Sequence, residues 1–454
     1  MITALRTPTG EGGVTRILLR AHKSHFRSAT AAESITQRLL GSNVGNLMFS
    51  YASERLLSTS DVQIDVSKFE RVDPGYINEH YDVAVVPLAN AFRLPLAKGV
   101  RDMAELFEKL TIPVVILGVG AQGPISGEFQ ASALDVEVDR FMRAVLNRAP
   151  SVGVRGELTA KYLANLGFGD EHVEIIGCPS MFQRGLELEI VPKVDTLTKY
   201  SNISLSVSPY RQLIGPISLD HALRYPNLMY TAQDQRTLGL MLTGAYRAPY
   251  TPPADTPTTL DHPLIRDNRV RFCLDPTTWM DYLSTFDFAF GTRIHGTIAA
   301  LMAGTPAVLL AHDSRTLELA DYHAIPYRML TPDDHVDAVE LYEQADWKPM
   351  LTGHAERWGR MQAFLAKHQL RHVFEPGQSP DAFDAKIAAV DFAPPVQMGM
   401  RHDLKTFYEL QRSVPALARE MREVEAKLST TKAKNRSKLR RVASRVKAKL
   451  MPAR

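Results

Sequence analysis

The sequence has little cysteine and no long apolar segment. Its two cysteines, Cys178 and Cys273, lie on or beside apolar runs without CxxC spacing, which predicts buried thiols in a reducing compartment. No stretch approaches the ~18 consecutive apolar residues of a membrane span, and residues 1–13 contain no apolar signal-peptide core. These absences favour a cytoplasmic protein over a secreted or membrane-spanning one.

Several motifs of metal, nucleotide and hydrolase chemistry are also missing. The sequence contains no HExxH motif, DxD pair, Cys/His cluster, P-loop or GxSxG elbow, so we expect neither a metal nor a serine nucleophile. Residues 118–123, GVGAQG, match the dinucleotide pattern GxGxxG after an apolar strand. However, they do not follow the first strand, and Pro124 delays the next helix. We therefore expect a tight turn at the rim of a cleft and no cofactor.

Alternating strand and helix patterns predict an α/β fold. The 454 residues exceed one ordinary core, and short buried strands alternate with helices as in a parallel sheet covered on both faces. The expected layout has two Rossmann-like domains with a cleft between them. The predicted parts are an N-terminal domain (1–195), a C-terminal domain (196–335), a helical extension (336–410) and a basic tail (411–454).

The most informative segment is FAFGTRIHGTIAALMAGTP, residues 288–306. The pattern predicts a buried strand over 286–290, a turn, a small-residue helix over 297–303 and another strand over 307–311. Arg293 and His295 would then lie at the carboxyl end of a strand, where open α/β sheets bind ligands. On an extended turn, their alternate spacing would point both side chains in the same direction.

Residues 291–326 (GTRIHGTIAALMAGTPAVLLAHDSRTLELADYHAIP) resemble the signature block of the polysaccharide pyruvyltransferase family. Residues 151–167 resemble the family's Val-Arg strand end and following helix, and residues 42–49 (SNVGNLMF) resemble its Asn-x-Gly-Asp loop. The chain has Asn46 where an aspartate is common, and Cys178-Pro179 where many relatives have Asp-Pro.

The resemblance implies a glycosyltransferase B-type layout and transfer of a pyruvyl group from phosphoenolpyruvate to a sugar diol, giving a cyclic ketal without a metal. By this resemblance His295 would be the catalytic acid and base. Arg293, Arg155 and Arg315 would bind the donor, and Asn43 and Gly45 would lie at the substrate.

Each candidate also has a structural interpretation. His295 could cap a helix, Arg155 could be a surface residue, and Arg315 could form a surface salt bridge with Asp313. Gln233 and Asp234 follow a predicted strand and could hydrogen-bond sugar hydroxyls or lie in a solvated loop. His312 is a less favoured acid or base.

Charge is unevenly distributed along the chain. Residues 427–454 hold eleven of the 53 Lys and Arg residues and no Asp or Glu, which leaves 42 basic against 50 acidic residues elsewhere. Leu439, Val442, Val446 and Leu450 follow helical spacing, so an amphipathic basic helix on an anionic membrane surface is expected. A partner helix or a solvated end remains the alternative. No nucleic acid is expected, because no aromatic base-stacking motif accompanies the charge.

Two other functions stay open from the sequence. A nucleotide-sugar glycosyltransferase of the same layout would use Arg293 on the diphosphate and His295 as the acceptor base. A non-catalytic, membrane-associated relative would use only the tail.

Overall fold

The computed structural model describes residues 13–69, 72–331 and 335–398, which belong to one compact unit. Its strands are β1 (Thr15–Arg20), β2 (Val62–Ser67), β3 (Val83–Pro87), β4 (Val114–Leu117), β5 (Val152–Val154), β6 (Val173–Ile175), β7 (Ile203–Ser206), β8 (Met229–Ala232), β9 (Val270–Phe272), β10 (Phe288–Gly291), β11 (Ala307–Ala311) and β12 (Tyr327–Met329). The predicted basic tail, residues 411–454, lies outside the described residues.

Helices connect most of these strands. They are α1 (Ala31–Thr36), α2 (Gly45–Leu57), α3 (Pro74–His80), α4 (Ala97–Phe107), α5 (Ala133–Leu146), α6 (Glu157–Asn165), α7 (Ile214–Arg224), α8 (Gln235–Thr243), α9 (Pro263–Arg266), α10 (Pro276–Leu283), α11 (Ile294–Met302), α12 (Ser314–His323), α13 (Ala338–Gln344), α14 (Lys348–Thr352), α15 (His354–Lys367) and α16 (Asp381–Ala388). Short 3-10 helices cover Leu94–Leu96 and Pro179–Phe182.

The first sheet is parallel, with strand order β2-β1-β3-β4. Strands β5 and β6 pair in parallel and extend it, because a bridge joins Val119 to Val154 and the Gly118 N–H donates to the Gly153 carbonyl at 3.0 Å. Every residue of β3 and β4 is buried. Their continuous apolar sequences, VAVVP and VVIL, fit strands covered on both faces.

The second sheet is also parallel, with strand order β12-β11-β10-β7-β8-β9. Strands β10 and β11 are fully buried. The predicted pair of Rossmann-like α/β domains is therefore confirmed. The sequence patterns missed β2 and β12, which lie at sheet edges, where polar or exposed side chains replace a continuous apolar run.

Both sheets contain a point where the strand order reverses. In the first, β2 lies on one side of β1 and β3 on the other; in the second, β8 and β10 flank β7 in the same way. The helices that follow such neighbouring strands lie on opposite faces, which leaves a crevice at the carboxyl ends of the strands. A ligand is therefore expected at the carboxyl ends of β1 and β3 in the first sheet and of β7 and β10 in the second.

The helical extension returns to the first sheet. Trp358, Met361 and Phe364 of α15 pack in one apolar cluster with residues of β1 and β3, including Ile17 and Val85. The chain therefore crosses back after the second sheet and covers one face of the first.

Candidate active site

A cavity of about 620 Å³ lies between the two sheets. Its walls come from residues after β1, β3 and β5 on one side and after β7, β8 and β10 on the other. The lining includes six arginines: Arg20, Arg93, Arg155, Arg236, Arg293 and Arg315. Among the described residues, Asp234 is the one acidic side chain in this lining. Such an excess of positive charge favours a ligand with several negative charges.

The turn after β10 places Arg293 and His295 in this cavity. Gly291 has φ of +144°, and a Cβ there would lie 2.0 Å from the Ser206 carbonyl oxygen, so the turn requires glycine. Arg293 is the N-cap residue of α11, and its Nε donates to the Val207 carbonyl at 3.1 Å. Helix α11 begins at Ile294, three residues before the predicted start. His295 therefore lies in the first helical turn, and the expected extended turn was wrong.

His295 lies where the first turns of α2 and α11 meet. A Cβ on Gly45 would lie 2.9 Å from the His295 Cβ, so a side chain at residue 45 would push the histidine away. The Phe49 ring lies 5.7 Å from the imidazole, and the Cys178 Sγ lies 3.7 Å from Nε2. These contacts fix the imidazole in the wall of the cavity.

The imidazole of His295 is neutral at physiological pH. Burial lowers its pKa to about 3, and the positive charges of Arg155 and Arg315 add to this effect. This neutral state applies to the unliganded protein. A neutral imidazole is a proton acceptor, so His295 is suited to act first as a base.

Arg155 lies under the glycine turn of residues 118–123. It is 2% exposed, and its Nε donates to the Gly118 carbonyl at 3.1 Å. A Cβ on Gly120 would lie 2.7 Å from the Arg155 Cδ, so the glycine makes room for the side chain. Within the described residues, the buried Nη2 of Arg155 has no hydrogen-bond partner. The GxGxxG pattern here positions an arginine.

Arg315 approaches from the start of α12. Its Nη2 lies 3.3 Å from both the Tyr210 hydroxyl and the Asp313 carboxylate, while its buried Nε lacks a partner among the described residues. Asp313 also accepts from Arg211 at 2.8 Å and from the Thr316 N–H at 3.0 Å, which caps α12. Although burial opposes ionisation, Arg315 lowers the pKa of Asp313 to about 2. The Asp313 carboxylate thus holds Arg315 in the cavity wall.

The remaining predicted residues divide between the cavity and its surroundings. Asn43 and Gly45 line the cavity, and the Asn43 Oδ1 accepts from the Gly45 N–H at 2.7 Å. Asp234 lines it too, 3.7 Å from the Arg293 Nη2. Gln233 is 1% exposed and instead lines a separate small cavity beneath α11. His312 is not among the residues that line the large cavity.

Sequence reasoning missed several lining residues. Tyr210 follows β7, Arg93 follows β3, and Arg236, Tyr246 and Tyr250 follow β8. The rule that selected Arg293, a polar residue just after a buried strand, could also have selected Tyr210.

The described part of the chain offers neither a metal cluster nor a membrane-spanning helix. Its residues contain no group of three or more His, Cys, Asp or Glu side chains placed to hold a metal ion. Nor do they include a helix with the length and apolar character needed to cross a bilayer.

Comparison with known sequences assigns the family. Residues 43–314 match the family model described as polysaccharide pyruvyl transferase, so the chain belongs to that family. The protein is therefore a transferase. No curated protein matches the sequence.

Comparison with solved structures gives distant similarities. An uncharacterised protein from Klebsiella pneumoniae is 12% identical over 70% of this chain and 93% of its own, with a TM-score of 0.38. An Anabaena protein, HepE, in complex with UDP and glucose, is 12% identical over 82% and 98%, with a TM-score of 0.35. A DNA-modifying β-glucosyltransferase is 14% identical over 82% and 100%, with a TM-score of 0.30.

Proposed function

We propose that the protein transfers a pyruvyl group from phosphoenolpyruvate to two hydroxyls of a glycan acceptor, forming a cyclic ketal and releasing phosphate. The observation that carries this proposal is the convergence of Arg155, Arg293 and Arg315 with His295 in one cavity. Arg155 follows β5, Arg293 and His295 lie at the start of α11, and Arg315 lies at the start of α12.

The three arginines suit the donor. Phosphoenolpyruvate carries a carboxylate and a phosphate, and guanidinium groups bind both with paired hydrogen bonds. The buried Nη2 of Arg155 and Nε of Arg315 have no acceptor within the described part of the chain. Leaving a buried donor unsatisfied costs about 1–3 kcal/mol, so an anion that accepts from both would recover this cost.

His295 is assigned as the base that removes a proton from a sugar hydroxyl. Its imidazole lines the cavity and is neutral in the unliganded protein, because burial lowers its pKa to about 3. Deprotonating the hydroxyl allows its oxygen to attack C2 of the donor.

The acceptor would lie along the part of the cavity formed by Asn43, Gly45, Tyr246 and Tyr250. The tyrosine hydroxyls lie 3.2 Å apart, and the Arg236 guanidinium lies 5.7 Å from the Tyr250 ring centroid. Aromatic rings with polar tips offer a sugar both an apolar face and hydrogen bonds. Gln233, which we had expected at the substrate, is left out of this assignment because its side chain lies in the separate small cavity.

A binding experiment tests the donor. A ligand at 100 times its Kd stabilises the protein by about 2.7 kcal/mol, so phosphoenolpyruvate should raise the melting temperature of the full chain. Arg293→Ala should abolish this rise. Arg266→Ala is the matched control, because Arg266 is exposed and pairs with Asp267 at 2.8 Å. No stabilisation of the wild type by phosphoenolpyruvate would contradict the proposal.

A nucleotide sugar is the alternative ligand in the same experiment, because its diphosphate would also suit the arginines. Stabilisation by nucleotide sugars alone would indicate a glycosyltransferase. Phosphate release that requires both phosphoenolpyruvate and a glycan would support pyruvyl transfer.

We also propose that the basic residues 427–454 attach the enzyme peripherally to the inner face of the membrane. Eleven basic residues and no acidic ones support this assignment. The full chain should sediment with anionic vesicles at low salt and not with neutral ones. Equal binding to both would contradict it.

A further inference from the structure

The loop after β7 places Tyr210 beside the arginines assigned to the donor. Its hydroxyl accepts a hydrogen bond from the Arg315 Nη2 at 3.3 Å, and its ring centroid lies 5.6 Å from the Arg293 guanidinium carbon. Tyr210 is 37% exposed and lines the cavity. An anion held by Arg293 and Arg315 would therefore lie within reach of the hydroxyl.

The charges around Tyr210 are mostly positive. Burial alone would raise its pKa, but Arg293 and Arg315 outweigh burial and lower the pKa to about 8. The hydroxyl is thus protonated at neutral pH, while the tyrosinate is stabilised. Charged groups face Tyr210 from four elements. Arg211 lies in its own loop and Arg93 in the loop after β3. Arg293 lies at the start of α11, and Arg315 and Asp313 lie at the start of α12.

The reaction needs an acid as well as a base. The methylene carbon C3 of phosphoenolpyruvate must gain a proton before C2 becomes a cation-like centre. His295 carries no proton to give in the unliganded protein, because burial lowers its pKa to about 3. A second proton-bearing group beside the donor arginines would fill this role.

We propose that Tyr210 donates the proton to C3 of the enolpyruvyl donor, and that its tyrosinate is the base for the second sugar hydroxyl. This inference rests on the proposed function. The hydroxyl–Arg315 contact, the Arg293 contact and the exposure of Tyr210 to the cavity carry it.

The proton balance closes with these two residues. The π electrons of the C2–C3 bond take the Tyr210 proton and form the new C3–H bond. The first sugar oxygen bonds to C2, and its proton passes to His295. The C2–O bond to phosphate then breaks, and the phosphate leaves with the bonding electrons and the proton from His295. The second sugar oxygen bonds to C2, and its proton returns to the Tyr210 oxygen.

The test replaces the hydroxyl alone. Tyr210→Phe should lower kcat by about 10²- to 10⁴-fold and leave stabilisation by phosphoenolpyruvate largely intact. In the wild type kcat should fall above about pH 8, because the acid loses its proton there, and this alkaline limb should be absent in the variant. Tyr200→Phe is the matched control, because Tyr200 is 63% exposed and is not among the cavity lining.

A titration of the Tyr210 hydroxyl tests the proposal independently of turnover. The ultraviolet absorbance of tyrosinate should show one group ionising near pH 8 in the wild type and not in Tyr210→Phe. If no group ionised near pH 8 in the wild type, or if that ionisation persisted in Tyr210→Phe, the assignment of Tyr210 as the titrating acid would be overturned.

The outcomes separate the two hypotheses. If phosphoenolpyruvate neither stabilises the wild type nor yields phosphate, the proposed function fails, and the role of Tyr210 fails with it. If the wild type is active and Tyr210→Phe keeps its kcat and alkaline limb, only the role of Tyr210 is overturned, and His295 must gain its proton when the donor binds. A higher KM with an unchanged kcat would also overturn it, since Tyr210 would then only bind the donor.

Discussion

Replacing Gly120 by alanine should displace Arg155 and impair catalysis from a position outside the cavity lining. The new Cβ would lie 2.7 Å from the Arg155 Cδ, whereas carbon atoms in contact lie about 3.5–4.0 Å apart. The arginine must therefore move by about 1 Å. It has little room to do so, because it is 2% exposed and its Nε is held by the Gly118 carbonyl.

A shift of about 1 Å in a group that positions substrate costs on the order of 100-fold in rate. We therefore expect kcat/KM for phosphate release from phosphoenolpyruvate to fall by about 100-fold in Gly120→Ala. Overpacking should also lower the free energy of unfolding by about 1–3 kcal/mol. Gly359→Ala in α15 is the control, because a Cβ there meets no atom within 4 Å. A folded Gly120→Ala enzyme with wild-type kcat/KM would refute the reasoning.

Three further predictions follow from single contacts. His295→Ala should lower kcat by about 10²- to 10⁴-fold while stabilisation by phosphoenolpyruvate, followed by thermal shift, persists. Glu318→Ala should lower the free energy of unfolding by about 1–3 kcal/mol, because the buried Glu318 carboxylate accepts a hydrogen bond from the Thr159 N–H at 2.7 Å. Denaturant titration measures this change, and Glu356→Ala, at an exposed position, is the control. Burial lowers the pKa of His295 to about 3 and of His368 to about 4, from 6.5. The folded protein therefore binds fewer protons than the unfolded chain, and stability should fall as pH drops below about 6.5; a flat profile would contradict this.

The segment around β10 shows what sequence patterns can predict. The strands before and after α11, β10 and β11, were predicted within two residues, because continuous apolar runs mark buried parallel strands. The start of α11 was placed too late, since Gly296 lowers intrinsic helix propensity. In the structure a Cβ at Gly296 would lie 2.3 Å from the Gln233 Nε2, so tight packing explains the glycine inside the helix.

The misplaced Gln233 and the missed Tyr210 have different causes. A residue that follows a strand is predicted to lie at the sheet edge, but the sequence does not give the direction of its side chain. Gln233 and Asp234 both follow β8, yet Asp234 lines the large cavity whereas Gln233 lies beneath α11. Tyr210 lies beside Arg293 because β7 and β10 are neighbours in the sheet. Local sequence patterns do not contain that strand order.

The position of α12 relative to the first domain decides whether the three arginines can meet. The Ser314 hydroxyl donates to the Gly123 carbonyl at 2.7 Å, and Glu318 accepts from Thr159 in α6. Arg315 lies between these two contacts, so the same contacts that join the domains also place its guanidinium. The turn of residues 118–123 thus makes room for Arg155 at Gly120 and holds α12 at Gly123. Its glycines therefore help to position Arg155 and α12, which carry two of the arginines of the proposed donor site.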